Sequence, residues 1–124
     1  MKPKTVDSYF EKLEPPVAAI AAALRARLDA LGGGPGEPLS VALAWGFPCW
    51  SGNKPIASII AHSNRCNLQL FGGARLAGQF PEIEGTGKQL RHVKVHTVAA
   101  VDDRLDAILR AAIELDRTAP EKVR

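Results

Sequence analysis

The chain has 124 residues, of which 46% are hydrophobic and 23% are charged. These proportions are typical of a globular protein, so disordered, collagen-like and coiled-coil classes are excluded. The length suits one hydrophobic core, and we expect a single domain over residues 1–124. The formal net charge of +3 is too small to indicate a nucleic-acid partner by charge alone.

The sequence has no apolar run of the roughly 18–20 residues that a membrane-spanning helix needs. Its opening residues do not follow the pattern of a secretion signal, so we expect a cytoplasmic protein with no membrane partner. The two cysteines, Cys49 and Cys66, are too few to staple a small secreted scaffold. We expect both to be reduced and structural, because free cysteine is usually buried.

Two helices are predicted at the start of the chain. Val6, Tyr9 and Leu13 have helical spacing, and Pro15-Pro16 interrupts that first helix because proline blocks an interior hydrogen bond. A second helix follows, with apolar residues recurring on one face. These residues are Val17, Ile20, Leu24, Leu28 and Leu31. The glycine-rich residues 32–36 predict an exposed connection after it.

The middle of the chain alternates with a period of two, which predicts strands. The predicted strands cover residues 40–45, 56–61, 66–71 and 92–97. Turn formers are dense over residues 46–53, and we interpret that segment as a connection that contains a Pro-Cys-Trp turn. Residues 74–80 predict one or two helical turns before a proline.

A last helix is predicted from apolar residues at helical spacing between Val101 and Leu115. Aspartates crowd its first turn, where negative charge complements the helix dipole. The links between strands are too short for parallel crossovers. We therefore expect an α+β two-layer sandwich, with a mostly antiparallel sheet of four to five strands and N- and C-terminal helices packed on one face.

One segment carries cations and no acid. Residues 85–101 contain Lys88, Arg91 and Lys94 but neither aspartate nor glutamate. Amides freed by the Gly85-Thr86-Gly87 turn, together with these cations, could hold a phosphate or carboxylate. The segment is not a P-loop, because Gln89 stands where that motif needs a hydroxyl and a strand is predicted where it needs a helix. The alternative is a tight turn before a solvated strand whose lysines protect a sheet edge.

A second candidate cluster combines turn formers with aromatic residues: Trp45, Phe47, Cys49 and Trp50. We expect residues 45–50 and 85–94 to line one cleft of a non-enzymatic binding protein for a small anion. The alternative for the tryptophans and Phe47 is a place in the core, which is the commoner position of a strand tryptophan. A catalytic Cys49 would need a base and a cation beside it to lower its pKa.

Asp7, Glu11 and Glu14 have the spacing of one helical face and predict a short acidic stripe on the first helix. Carboxylates are ligands that ferric iron prefers, so an iron-binding protein is a second candidate, against the alternative of an ordinary solvated helix face. His92 and His96 lie about 13 Å apart on one predicted strand, too far to share an ion. A homodimer that pairs sheet edges is a further candidate, beside a monomer.

Several blocks of the sequence resemble the YdhG-like family, domain of unknown function 1801, over nearly the whole chain. The blocks are Val6-Asp7-Ser8-Tyr9-Phe10, Trp45-Gly46-Phe47-Pro48-Cys49-Trp50, Asn53-Lys54-Pro55, Asn67-Leu68 and Gly85-Thr86-Gly87-Lys88-Gln89-Leu90-Arg91-His92-Val93-Lys94. The resemblance implies a frataxin-like fold and a small binding protein, and one branch of the family has been linked to intracellular iron delivery. Thr86 and His92 are candidate ligand-binding residues as members of the 85–94 segment, and Asn67, which lies in one of these blocks, is a further candidate.

Overall fold

The structure, a computed structural model, describes residues 5–32 and 39–119. Its elements follow in the order α1 (Val6–Glu11), α2 (Val17–Gly32), β1 (Ser40–Ala44), β2 (Phe47–Ser51), β3 (Pro55–Ala61), β4 (Cys66–Leu70), α3 (Gly73–Leu76), β5 (Arg91–Val95) and α4 (Asp103–Thr118). A single 3₁₀ turn, Val98–Ala100, precedes α4. Most of the connection predicted over residues 32–36 lies outside the described residues.

The strands form one antiparallel sheet whose spatial order, β1-β2-β3-β4-β5, repeats the order along the chain. Each strand pairs with the next in antiparallel register. Short links between neighbouring strands allow this arrangement, because antiparallel partners can be joined by a tight turn. The predicted α+β class with a largely antiparallel sheet is confirmed.

The interpretation of residues 46–53 as a connection is wrong, because Phe47–Ser51 form β2. Trp45 and Gly46 alone make the turn after β1, with φ angles of +54° and +84°. Positive φ angles are what a tight two-residue hairpin turn requires. Pro48 misleads the sequence interpretation, since proline usually marks an edge or a turn, yet here it lies inside β2 opposite Leu43.

Helices cover one face of the sheet and form the core with it. Most of the apolar side chains predicted on α2 and α4 are buried there, with Leu31 and Leu115 partly buried, and so are the alternating residues of β3 and β4 that face them. Fully buried examples are Leu24, Leu28, Ile59, Leu68 and Leu109. Burial of apolar surface contributes about 25 cal/mol per Å², which makes this layer the main source of stability. No helix within the described ranges has the length and apolar character to span a membrane.

The first two helices are separated at the predicted place, since Pro15-Pro16 lies between them. Thr5 caps α1 through its side-chain oxygen, which accepts the backbone N–H of Ser8 at 3.0 Å. Because α1 ends at Glu11, Glu14 lies beyond the helix and the predicted three-residue acidic stripe is shortened. The helix predicted over residues 74–80 is present as the single turn of α3.

Candidate functional site

A groove of about 1170 Å³ lies on the face of the sheet opposite the helices. Strand register sets its floor, because Ser58 of β3 and Gln69 of β4 are direct neighbours on that face. Aromatic side chains and the loop of residues 87–90 form its walls. We call this feature the open-face groove. It is defined here by Trp45, Phe47, Lys54, Phe71, Lys88 and Leu90.

Trp45 and Phe71 form an aromatic wall of the open-face groove. Their rings are stacked, with centroids 6.0 Å apart and an interplanar angle of 30°. Trp45 is 77% exposed, so the alternative of a core position for this tryptophan is wrong. The β1–β2 turn carries the indole out of the sheet, where the end of β4 supports it from one side.

Phe47, at the start of β2, connects the groove to the helix layer. Its ring meets the edge of the Tyr9 ring, with centroids 6.0 Å apart and an interplanar angle of 72°. The Tyr9 hydroxyl in turn accepts the backbone N–H of Ala61 at 2.9 Å. Burial raises the pKa of Tyr9, so this phenol stays neutral and serves as a structural anchor between α1 and β3.

Lys54 and Lys88 supply the charge of the open-face groove. Both side chains are exposed and line it. Among residues 5–32 and 39–119, no carboxylate lies within ion-pair distance of either ammonium group, and the lining includes neither aspartate nor glutamate. An anion entering the groove therefore meets positive charge that no carboxylate of the described residues neutralises.

The link between β2 and β3 fixes the backbone that carries Lys54. The Asp116 carboxylate, from α4, accepts the backbone N–H of Asn53 at 2.7 Å and that of Lys54 at 2.8 Å. The Asn53 side-chain amide donates to the Asp116 carbonyl at 3.0 Å. Asp116 is 8% exposed, and hydrogen bonds to a charged acceptor in such a sheltered place are among the stronger ones.

Hydrogen bonds from neighbouring elements shape the loop that carries Lys88. Arg91 Nε donates to the Gly87 carbonyl at 2.9 Å, and the backbone N–H of Ala74 donates to the Gln89 carbonyl at 3.0 Å. Arg91 thus supports the loop from β5, a role that the sequence did not indicate. Gly85 and Thr86 are exposed before this loop, and only Gly87 and Lys88 of the Gly85–Lys88 stretch line the groove.

Three further candidates, Lys94 and His92 of the basic segment and Asn67 of β4, lie outside the lining of the open-face groove. Lys94 Nζ lies 3.6 Å from Glu84 Oε1, so its charge has a partner that precedes the acid-free stretch. His92 pairs through its backbone with Glu84, at 2.7 and 3.0 Å. The Asn67 side chain accepts Arg65 Nε at 3.2 Å. These three side chains are not part of the lining.

Trp50 and Cys49 are core residues rather than parts of the groove. Trp50 is 1% exposed, and its Nε1–H donates to Asp29 Oδ1 at 3.0 Å. Cys49 is 4% exposed, and burial raises the pKa of its thiol. A nucleophilic cysteine needs a lowered pKa, so the surroundings of Cys49 oppose that role.

The acidic residues of the first helix do not gather around a common point. Asp7 forms an ion pair with Arg25 of α2, which occupies the carboxylate that would begin a metal site. Within the part of the chain that the structure describes, no three His, Cys, Asp or Glu side chains are grouped so as to hold a metal ion. Asp7, Glu11 and Glu14 therefore form a solvated surface.

Trp45, Phe47, Gly87 and Lys88 were predicted from the sequence to line one cleft. All four line the open-face groove. Lys54 and Phe71 were not predicted. A signal for Phe71 was present, because the alternation of β4 puts it on the face opposite Leu68 and Leu70. Lys54 had no such signal, since its position depends on Asp116, which is 62 residues away in sequence.

The chain was compared with protein-family models, curated proteins and solved structures. A scan against protein-family models finds no match, and searches of curated proteins and of solved structures find no significant similarity.

Proposed function

We propose that this protein binds a small molecule that carries a phosphate or carboxylate and an apolar part, and that it does so in the open-face groove without catalysing a reaction. The observation that carries the proposal is the placement of Lys54 and Lys88, with no carboxylate partner in the described ranges, beside an exposed aromatic wall. Membership of the YdhG-like family, with a frataxin-like fold, belongs to the same proposal. The two-layer α+β arrangement supports it.

The groove suits such a ligand because it combines two kinds of contact. Trp45, Phe71 and Leu90 provide apolar surface, and ligand sites are mostly apolar with a few polar groups that fix orientation. Lysine ammonium groups form charge-assisted hydrogen bonds with anionic oxygens. Displacing water from the apolar wall lowers the local dielectric constant and strengthens those bonds.

Iron binding, a second class considered from the sequence, has no comparable support. Asp7, one of the three carboxylates on which that hypothesis depended, is paired with Arg25. Glu14 lies outside α1, so it does not share a helical face with the other two. We therefore base the functional proposal on the groove alone.

The proposal is tested by calorimetric titration of the full chain with four probes: phenyl phosphate, cyclohexyl phosphate, phenylacetate and cyclohexylacetate. We expect at least one probe to bind and both Lys54→Gln and Lys88→Gln to weaken its affinity about tenfold each, since a hydrogen bond to a charged group contributes about 1.5–3 kcal/mol. Binding should also weaken as salt is added.

Arg110→Gln is the matched control. Arg110 is an exposed cation of α4, so its loss changes the net charge equally but leaves the groove intact. If affinity falls equally in all three variants, the lysines act only through the net charge of the protein. That result would overturn the proposed site. Absence of binding by every probe at millimolar concentration would overturn the proposed function itself.

A further inference from the structure

We infer that the ligand of the open-face groove carries a planar aromatic ring, which stacks on the outer face of Trp45 while its anionic arm reaches Lys54 and Lys88. This inference rests on the proposed function and names the chemical class of the ligand. Three features of the described residues carry it: the backbone of Trp45, the exposure of its ring and the charge beside it.

The backbone of Trp45 is in an unfavourable region. Its φ of +54° is left-handed, which residues with a bulky side chain rarely adopt. In two-residue hairpin turns this position is normally taken by asparagine, aspartate or glycine. Local strain of this kind persists where the side chain has a role that compensates for it, and it is concentrated at ligand sites. The turn therefore holds an indole where folding alone favours a small residue.

The indole presents one face for a ligand. Phe71 supports the opposite face, with the two rings stacked at 30°, and Phe71 is itself anchored because its backbone N–H donates to the Ile56 carbonyl at 3.0 Å. Trp45 remains 77% exposed. An aromatic ring supported in this way loses little freedom when a second planar ring stacks on it, and stacked aromatic pairs are favourable beyond the area that they bury.

The positive charge beside the indole favours an aromatic anion over a neutral aromatic molecule as the ligand. Lys54 and Lys88 line the same groove as Trp45, and neither occurs in an ion pair with a carboxylate among the described residues. Ser58 cannot compete for the same role, because its hydroxyl already donates to the Pro48 carbonyl at 2.7 Å. Charge complementarity thus favours a ligand with a phosphate or carboxylate arm. Stacking on the Trp45 indole favours a ligand with a planar aromatic ring.

The four probes form two matched pairs that test the ring. Phenyl phosphate and cyclohexyl phosphate have the same charge and nearly the same size, and so do phenylacetate and cyclohexylacetate, but only the phenyl members are planar. We expect the phenyl member of the better-bound pair to bind about tenfold more tightly, since stacking on an aromatic side chain is worth about that factor or more. Its binding should also quench the fluorescence of Trp45. The pair that binds better identifies phosphate or carboxylate as the arm.

Two variants assign the preference to Trp45. Trp45→Leu should remove the preference for the planar probe while affinity for the cyclohexyl probe stays within about twofold, and Trp45→Phe should retain most of the preference. Equal affinities within both pairs in the unaltered protein would overturn this inference and leave the proposed anion site standing. A preference that survives in Trp45→Leu would overturn it too. If no probe binds, the proposed function fails as well.

Discussion

Asp116 in α4 holds the backbone of Lys54, because its Oδ1 atom accepts the Lys54 N–H at 2.8 Å. Lys54 belongs to the open-face groove, whereas Asp116 belongs to the helix layer. The link between β2 and β3 therefore transmits the position of a helix residue to the opposite face of the sheet.

Removing the Asp116 carboxylate should destabilise the fold. In Asp116→Ala the N–H groups of Asn53 and Lys54 lose their acceptor in a sheltered place, and we expect the free energy of unfolding to fall by about 3 kcal/mol. Urea denaturation measures the change. Glu114→Ala is the control, since the Glu114 side chain forms an exposed ion pair with Arg117 and its loss should change stability by less than about 0.5 kcal/mol. Equal midpoints for the two variants would contradict the anchoring role.

Gly52 should tolerate no side chain, because a Cβ atom there would lie 2.4 Å from Asp116 Oδ2. Gly52→Ala would displace the carboxylate from its two N–H donors, and we expect a loss of about 1–2 kcal/mol in the free energy of unfolding. Gly78→Ala is a matched control, since a Cβ atom at Gly78 meets nothing within 4 Å. We expect it to change stability by less than about 1 kcal/mol, measured by thermal unfolding. A fully tolerated Gly52→Ala would show that the link can shift.

The two tryptophans should respond to substitution in different ways. Trp45→Asn relieves the left-handed strain at φ +54° and removes a side chain that is mostly exposed, so we expect stability to stay within about 1 kcal/mol or to rise. Trp50→Ala leaves a cavity in the core, since Trp50 is 1% exposed, and should cost about 3–5 kcal/mol. Denaturant titration of both variants gives the comparison. A large loss in Trp45→Asn would mean that the indole is needed for folding.

Both thiols should be unreactive in the folded protein. Burial raises the pKa of Cys49 and raises that of Cys66 from 9.0 to about 11, and the thiolate is the reactive form. We expect slow labelling by iodoacetamide at pH 8 in buffer and fast labelling in urea, followed by mass spectrometry. Rapid labelling of Cys49 without denaturant would contradict its buried strand position.

The raised pKa of Cys66 also predicts a loss of stability in alkali. Above pH 9 the unfolded chain loses the thiol proton while the folded chain retains it up to about pH 11, so stability should fall as the pH rises through that interval. Cys66→Ala should show a shallower decline, although it is less stable at neutral pH because it removes a buried side chain. Comparing the slopes of the free energy of unfolding against pH tests the assignment. Parallel slopes would refute it.

Much of the fold could be predicted because the spacing of apolar residues along the chain indicates most of its helices and strands. The stripes of α2 and α4 and the alternation of Val93 and Val95 in β5 reflect which side of each element is buried. β2 escaped prediction because Pro48 and Gly46 are turn residues by composition, and only the pairing with β1 and β3 reveals the strand. Residue types that are typical of turns therefore lie within and beside this strand.

Residues of the site could be predicted only where the local sequence pattern shows on which face of the sheet a side chain lies. The groove joins Trp45 of one hairpin, Lys54 of the next and Lys88 of a distant loop, and periodicity carries no information about such distances. The pairing of Lys94 with Glu84 follows from a bridge between residues 84 and 92. Thus the acid-free stretch looked more uniformly cationic in sequence than it is in space.

The sequential order of the strands bears on how the chain reaches this state. Each strand pairs with the one that follows it, so most of the sheet can assemble by closing small loops, which involves little loss of chain entropy. The exception is the long excursion between β4 and β5. Packing α2 against α4 brings together residues that are far apart in sequence, such as Arg27 and Asp106. Chains with such neighbour-dominated topology reach their native state quickly, and we expect the packing of α2 against α4 to be the late event.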